Sequence, residues 1–246
     1  MIQKTKRMEF RVVRLFFEPV QVAVRYAKAR AGSYIHIYSY EPLFLPPHFR
    51  LLLHKKTPRI SLGGKSIEEI LSNFHDTARN EVRRTLRDPD IIYTTGDGNK
   101  KEAYACYKEF ERSQGRIPHR WRAFRDLVVF SAHTHKILLS GIACYDARPV
   151  LKVFSIYSRR SDAQGQHAGR ASKRLVYELC RYGILHGYEY VDLSYVNLHD
   201  PQKEGIDRFK MQFGGEIVDE YQYRYVSPLF QLLLLFRRLM RSMRLL

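Results

Sequence analysis

Residues 166–171 have the composition of an anion-binding helix start. The segment reads Gln166-His167-Ala168-Gly169-Arg170-Ala171 and overlaps the end of a predicted loop at 159–169. The first N–H groups of a helix have no partner within it, and a glycine lets a phosphate approach them closely. Basic side chains nearby would add cationic partners: Arg159, Arg160, Arg170, Lys173 and Arg174. The alternative is an ordinary turn followed by a solvated, basic helix start.

Two aspartates follow in the C-terminal third. Asp192 comes near the end of a predicted buried strand, where its carboxylate could accept the proton of an attacking amine or orient that amine. Asp207 stands beside Arg208, which favours an ion pair between these neighbours. Asp192 is therefore the candidate catalytic carboxylate.

Cysteine and histidine spacing predicts no metal centre. Cys106, Cys144 and Cys180 are far apart and form no CxxC pair, so neither a disulfide framework nor a cysteine zinc site is expected. His133 and His135 could share one strand face, but a solvated hairpin explains them without partner ligands. This cysteine usage fits a reducing cytoplasm.

The elements that must position these residues alternate in the second half of the chain. Apolar runs separated by turn residues predict an antiparallel meander over 127–130, 137–146 and 150–158. The elements predicted after it are a helix at 170–186, a strand at 188–195, a helix at 203–213 and a strand at 216–226.

The pattern of apolar residues is less regular in the first half of the chain. A capping box at Ser66 and Glu69 predicts one helix over 66–87. The other predicted elements are strand or helix at 9–26, a strand at 33–40, a strand at 91–94, and helices at 100–113 and 119–126. Gly64-Lys65-Ser66 is similar to the end of a P-loop, but Arg59 occupies the position of the required first glycine, so nucleotide hydrolysis is rejected.

This order of elements resembles the GNAT fold of acetyltransferases. The 166–171 segment is also similar to the Q/R-x-x-G-x-G/A signature with which those enzymes bind the pyrophosphate of coenzyme A. The resemblance implies an α+β (α/β) fold with a central mixed, mostly antiparallel sheet flanked by helices. It also implies acetyl-CoA or coenzyme A as cofactor, held by Gln166, His167, Gly169, Arg170, Ala171 and Lys173.

A more specific resemblance lies at 190–215. Tyr190-Val191-Asp192-Leu193 precedes the segment GIDRFKMQFGG at 205–215. The pair is similar to the Fem family, the aminoacyltransferases that build peptidoglycan interpeptide bridges, and to related GNAT-type enzymes of envelope polysaccharide clusters. The arginine-rich segment 77–84 and Ser227-Pro228-Leu229 add weaker similarity.

The Fem resemblance implies roles for individual residues. It assigns Lys210 to stabilising the transferring acyl group, and a fixed ammonium in a water-poor pocket does stabilise the oxyanion formed in acyl transfer. The alternative is a surface lysine on a short helix. Substrate binding is assigned to Arg79, Arg83, Asn197, Arg208 and Phe209.

Tyr221, Tyr223 and Tyr225 alternate along the last predicted strand and therefore share one face. In GNAT enzymes a tyrosine near this position can protonate the leaving thiolate, and the resemblance implies this role for Tyr223. Aromatic packing on a half-buried strand is the alternative for each of the three.

The chain is too short for the two complete GNAT-like domains of Fem proteins. We therefore expect a reduced N-terminal accessory segment at 1–62, a GNAT-like transferase domain at 63–226 and a basic amphipathic helix at 227–246. That helix would place apolar residues opposite Arg237, Arg241 and Arg244, a pattern typical of helices that lie on an anionic bilayer. Packing against the domain or an oligomer contact is the alternative.

Net charge and hydropathy limit the kinds of partner and the location expected for this protein. A formal net charge of +17 favours anionic partners such as nucleic acid, phospholipid surfaces or phosphorylated substrates, without choosing among them. No apolar stretch reaches the roughly 20 residues that cross a bilayer, and the N-terminus lacks the apolar core of a secretory signal. We expect a cytoplasmic protein, or one peripheral on the inner face of the membrane.

Three functional hypotheses follow. The first is an acyl- or aminoacyltransferase acting on an amine of a lipid-linked or nucleotide-linked envelope precursor, with aminoacyl-tRNA as the donor in the strict Fem case. The second is acetyl-CoA-dependent N-acetylation of an amino sugar or another small amine. The third is a noncatalytic nucleic-acid or membrane-binding module.

Overall fold

The computed structural model describes residues 2–7, 10–29, 34–96, 99–134, 137–159, 165–197, 204–229 and 231–232, without the side chains of 2–7, 10–12, 96, 165 and 166. The elements formed by these residues, in chain order, are β1 (Ile2–Arg7), β2 (Phe10–Phe16), α1 (Val20–Lys28), β3 (Tyr34–Ser39), β4 (Phe49–Ser61), α2 (Ile67–Ser72), α3 (Asp76–Thr85), β5 (Ile92–Gly96), α4 (Lys100–Ser113), α5 (Trp121–Phe124), β6 (Val128–His133), β7 (Leu138–Ala147), β8 (Val150–Ser158), α6 (Gly165–Leu185), β9 (Tyr190–Asp192), α7 (Glu204–Met211) and β10 (Glu216–Val226).

The chain divides into two compact units. Unit 1 comprises residues 1–56 and 218–246, and unit 2 comprises 57–217. The predicted division into 1–62, 63–226 and 227–246 stays a prediction.

Unit 2 is built on a mixed sheet with the strand order β4-β9-β8-β7-β6-β5. The predicted meander is confirmed, because β6, β7 and β8 pair antiparallel, as do β5 with β6 and β4 with β9. The parallel pair is β8 with β9. The predicted α+β fold, with a mostly antiparallel sheet flanked by helices, is therefore confirmed.

Helices cover both faces of this sheet because alternate residues of β7 point to opposite sides. Ile142 and Cys144 pack with apolar residues of α6 in one core, whereas Ala143 packs with residues of α4 in a second core. All three cysteines are buried, and burial raises the pKa of Cys106 to about 12. These two cores hold in place the strands and helices that carry the candidate site.

The single helix predicted at 66–87 is wrong. The predicted capping box is present, with the Ser66 side chain accepting the N–H of Glu69 and the Glu69 side chain accepting that of Ser66. The helix nevertheless stops at Ser72, because His75 donates its N–H to the carbonyl of Gln212 at 2.8 Å. This contact between segments far apart in sequence separates α2 from α3.

Other boundaries also differ from the prediction. Helix α6 begins at Gly165, so residues 165–169 are helical rather than part of a loop. Strand β9 has 3 residues rather than the eight predicted at 188–195. Strand β4, with 13 residues, was missed because two prolines precede it, Pro58 lies within it, and its apolar and basic residues do not alternate clearly.

Unit 1 contains the strand order β1-β2-β3-β10-β4. Val13 and Leu15 of β2, with Ile35 and Ile37 of β3, pack against α1 in one core, to which Tyr223 of β10 also belongs. Strand β2 runs parallel to β3, and β10 runs antiparallel to it. Residues 227–229 and 231–232 of the predicted C-terminal helix are described, and the rest of that helix lies outside the described residues.

Neither a membrane-spanning helix nor a cluster of metal ligands is present among the described residues. No helix there has both the length and the hydrophobicity to cross a membrane. Within the same part of the chain, no three His, Cys, Asp or Glu side chains are grouped to hold a metal ion. His135 lies outside the described residues, and His133 ends β6.

Candidate active site

A cleft of about 990 Å³ opens in unit 2 where β8 and β9 separate. The two strands pair only over 150–152 and 190–192. Beyond that point, residues 153–158 of β8 form one wall, and Ser194 and Tyr195 form part of another. The cleft is completed by Phe110, Glu111, Gln114 and Arg116 at the end of α4, Ala168, Gly169 and Ser172 of α6, and Gly205, Ile206, Phe209 and Lys210 of α7.

Lys210 is held at the cleft wall by backbone carbonyls. Its Nζ donates to the carbonyl oxygen of Tyr195 at 2.6 Å and to that of Ser194 at 3.2 Å. Helix α7 is anchored by Phe213, whose ring packs edge-on to Phe74 with centroids 5.1 Å apart. The ammonium is therefore fixed at one place beside the cleft.

Asp192 is buried beneath the cleft surface, next to the backbone that holds Lys210. Its carboxylate is fully buried, pairs with Lys152 Nζ at 2.7 Å, and accepts the Thr57 hydroxyl and the N–H of Ser194. Asp192 does not line the cleft. Its carboxylate holds the turn at Ser194 through that hydrogen bond, and its predicted role as proton acceptor stays a prediction.

The start of α6 contributes small residues to the cleft. A Cβ at Gly169 would meet no atom within 4 Å, so this position borders open space. Ala168 and Ser172 line the cleft with it. In a helix that begins at Gly165, the first four N–H groups lack intrahelical partners and favour an anion.

The remaining residues predicted to hold the cofactor are dispersed. His167 is exposed, Arg170 pairs with Glu81 of α3 at 3.0 Å, and Ala171 is buried in the core. Lys173 is half-buried and does not line the cleft. The side chain of Gln166 lies outside the described residues.

Of the predicted substrate-binding residues, one lines the cleft and others lie away from it. Phe209 lines the cleft. Arg79 pairs with Asp76 within α3, Arg83 is exposed on that helix, and Arg208 pairs with Glu204 on the exposed side of α7. None of these three arginines lines the cleft.

Asn197 and Asp207 form a contact that the sequence did not predict. The backbone N–H of Asn197 donates to the buried carboxylate of Asp207 at 2.9 Å. Arg208 pairs with Glu204 instead, so the ion pair expected between Asp207 and Arg208 is wrong. The Asp207 side chain points into the fold rather than along the surface of α7. Its carboxylate therefore holds the backbone at Asn197.

Tyr223 belongs to unit 1. Its ring is in the core of that unit, and its hydroxyl accepts the N–H of Leu43 at 2.8 Å. The role predicted for it in protonating a leaving group stays a prediction.

Sequence reasoning missed the polar end of the cleft at α4. The Arg116 guanidinium donates to both carboxylate oxygens of Glu111, with distances of 3.0 and 2.9 Å. Gly115, with a φ of 68°, ends the helix between them and turns Arg116 back onto Glu111. Helix spacing alone could not reveal this pair, because Arg116 lies beyond the helix.

Several solved structures have a fold similar to that of this chain. FemX has a similar structure, with a TM-score of 0.63 and 14% identity over 94% of this chain and 85% of that chain. The C-terminal domain of a putative lysylphosphatidylglycerol synthetase from Agrobacterium fabrum is also similar, with a TM-score of 0.55 and 11% identity over 95% of this chain and 83% of that chain. L-PGS from Bacillus licheniformis matches with a TM-score of 0.51 and 11% identity, over 92% of this chain and 81% of that chain.

At these identities the similarity shows the fold. No protein-family model matches the chain, and no curated protein matches it significantly by sequence.

Proposed function

We propose that this protein is a Fem-like acyltransferase that moves an acyl or aminoacyl group onto an amine of a cell-envelope precursor, within the cleft of unit 2. The observation that carries the proposal is the fixed position of Lys210. Two backbone carbonyls hold its ammonium at the wall of a large cleft. A cation fixed in this way needs no reorganisation when negative charge develops on the acyl oxygen.

The reaction forms one bond and breaks another. The amine nitrogen attacks the acyl carbonyl carbon, the carbon–nitrogen bond forms, and the carbonyl oxygen becomes an oxyanion that Lys210 stabilises. The oxyanion then collapses and expels the alcohol or thiol of the donor, which takes up the proton released by the amine. Phe209 and Ile206 give this part of the cleft apolar walls, which strengthen the attraction between charges.

Aminoacyl-tRNA is the donor that the Fem resemblance implies. The net charge of +17 suits a polyanionic donor. The name of one protein of similar fold, lysylphosphatidylglycerol synthetase, specifies an aminoacylated lipid. Both facts support an aminoacyl donor and a lipid-linked or nucleotide-linked acceptor.

Acetyl-CoA is the alternative donor, and a specific observation favours it. Ala168, Gly169 and Ser172 bring the N-terminal part of α6 onto the cleft, and Gly169 leaves open space there. The unpaired N–H groups of this helix precede Gly169 by about one turn, and the missing side chain at position 169 leaves room beside them for a pyrophosphate. In this case the acceptor would be an amino sugar or another small amine.

A transfer assay with both donors distinguishes the candidates. The purified chain is incubated with radiolabelled aminoacyl-tRNA or acetyl-CoA and with a nucleotide-linked or lipid-linked muropeptide that carries a free amine. Product with aminoacyl-tRNA alone supports the Fem-like function, and product with acetyl-CoA alone supports the alternative. If neither donor gives product and neither raises the melting temperature, the acyltransferase proposal is wrong.

The acceptor also suggests where the reaction occurs. A lipid-linked precursor would be met at the inner face of the membrane, and the basic C-terminal segment could bind its anionic lipids. Sedimentation with vesicles with and without phosphatidylglycerol tests this association. Binding that is absent, or equal on both kinds of vesicle, would contradict it.

A further inference from the structure

Three basic side chains form a row across unit 1. The register of β2 with β3 places Arg14 directly beside His36, and that of β10 with β3 places Arg224 on the other side of His36. Directly opposed residues point to the same face of a sheet, with neighbouring Cβ atoms about 5 Å apart. The two arginines therefore flank the histidine on one face.

This face is the one opposite α1. The residue before each member of the row points to the other face of the sheet and belongs to the core that α1 covers. These residues are Val13, Ile35 and Tyr223. Arg14, His36 and Arg224 are half-buried. None of them lines the cleft of unit 2.

The row has no acidic partner within the described part of the chain. Neither guanidinium is in ion-pair contact with a carboxylate there. On the same face of β10, Glu220 is four residues from Arg224, about 13 Å along the strand, and the Gln222 amide donates to it at 2.6 Å. Arg14 and Arg224 lie on either side of His36 rather than next to each other, and an anion between them would offset the positive charge of both.

His36 adds a directed hydrogen-bond donor to the row. The Tyr38 hydroxyl is 3.4 Å from Nδ1, and Nε2 is buried without a hydrogen-bond partner in the described part of the chain. If the hydroxyl donates to Nδ1 of a neutral ring, the ring proton is on Nε2. A buried N–H without an acceptor is unfavourable, and an anion that displaces the groups covering Nε2 would supply the acceptor.

The charges around the ring agree with this geometry. Burial, followed by Arg14, Arg224 and Lys55, lowers the pKa of His36 to about 4. Burial is the largest cause, and the three cations lower the pKa further, so the charged groups that act on the ring are positive.

We propose that Arg14, His36 and Arg224 form a binding site for a phosphoryl group. Two guanidiniums and one imidazole N–H match the several oxygens of a tetrahedral phosphate better than the two of a carboxylate. Tyr34 and Tyr38 lie on either side of His36 along β3 and provide aromatic surface beside the bound group. The phosphoryl group can belong to a small soluble compound or to a lipid headgroup.

The site is tested on the full-length protein by isothermal titration with pyrophosphate and by NMR of the His36 ring. We expect saturable binding that shifts the ring resonances of His36 and raises its pKa, because a bound anion stabilises the imidazolium. Arg224→Gln should weaken binding by about tenfold or more, since a charge-assisted hydrogen bond is lost. Arg25→Gln is the matched control, because Arg25 is exposed on α1 at the opposite face.

Further measurements distinguish a soluble phosphate from a lipid headgroup, and loss of binding from loss of folding. ADP and dihexanoyl-phosphatidylglycerol are compared with pyrophosphate, and the tighter ligand identifies the soluble or the lipid source. Melting temperatures are measured for every variant, and Arg14→Gln replaces Arg224→Gln if the latter fails to fold. The proposal is overturned if no ligand shifts His36, or if Arg25→Gln weakens binding as much as the substitutions in the row.

Discussion

The carboxylate of Asp192 accepts the backbone N–H of Ser194 at 2.6 Å, and this contact stabilises the turn that holds Lys210. Ser194 has a φ of 64°, in the left-handed region that residues other than glycine seldom adopt. The carbonyls of Ser194 and Tyr195 then accept the ammonium of Lys210. A buried carboxylate thus positions the proposed catalytic cation through the backbone.

Lys210→Met removes that cation while keeping most of the apolar side chain. If Lys210 stabilises the oxyanion, kcat should fall by about 10²-fold to 10³-fold. Lys101→Met is the matched control, since Lys101 is exposed on α4 and does not line the cleft. A Lys210→Met protein that folds and retains kcat within about twofold would remove Lys210 from the mechanism.

The sequence was informative where local patterns determine structure. The bounds of α4, β8 and β10 were predicted correctly, because each element has regular periodicity and clear turn residues at its ends. The resemblance at 205–215 also led to Lys210, which the structure places on a cleft.

The sequence was uninformative where contacts between distant segments decide. The break after α2 depends on a hydrogen bond between His75 and Gln212, and the environment of Asp192 depends on Thr57 and Lys152. No spacing rule reveals such contacts. The row around His36 could not be predicted for the same reason. Its three residues come together only through the register of β2, β3 and β10.

Asp192→Asn should be strongly destabilising. The substitution removes the carboxylate that pairs with the buried Lys152 ammonium, and loss of one partner of a buried ion pair typically costs about 3–5 kcal/mol. The free energy of unfolding from urea titration measures the loss. A cost below about 1 kcal/mol would mean that the pair contributes little.

A double variant separates charge from positioning. Asp192→Leu with Lys152→Met removes both buried charges, and such apolar replacements are often neutral or stabilising. The N–H of Ser194 still loses its acceptor, so kcat should be lower than in the wild type although stability recovers. Recovery of both stability and kcat would show that Asp192 has no positioning role.

Gly214→Ala should disturb the contact between the α2–α3 break and the end of α7. Gly214 has a φ of 65°, and an added Cβ would collide with the backbone of Asn73. Gly187→Ala is the control, because Gly187 has a φ of 71° but open space around the added Cβ. Both variants carry the backbone strain, so the extra loss in Gly214→Ala, about 1–3 kcal/mol, measures the collision. Equal melting temperatures for the two variants would contradict this account.

Substitutions of Gly169 test whether the start of α6 faces the bound donor. Gly169→Ala should raise the free energy of unfolding by about 0.5–1 kcal/mol, because glycine weakens a helix interior. Gly169→Leu should fold equally well, since its side chain enters open space, but should raise the KM for the donor by narrowing the cleft. An unchanged KM in Gly169→Leu would show that the donor binds elsewhere.

His36 should make stability depend on pH in a defined window. Its pKa is lowered from 6.5 to about 4 by burial and by the neighbouring cations. Between these values the unfolded chain binds more protons than the folded chain, so the free energy of unfolding falls as the pH falls from 6.5 towards 4. The loss from this residue is about 3 kcal/mol and is complete below the folded pKa. Urea unfolding of the wild type and of His36→Gln across this range measures it, and parallel pH profiles for the two proteins would show that His36 does not titrate in this way.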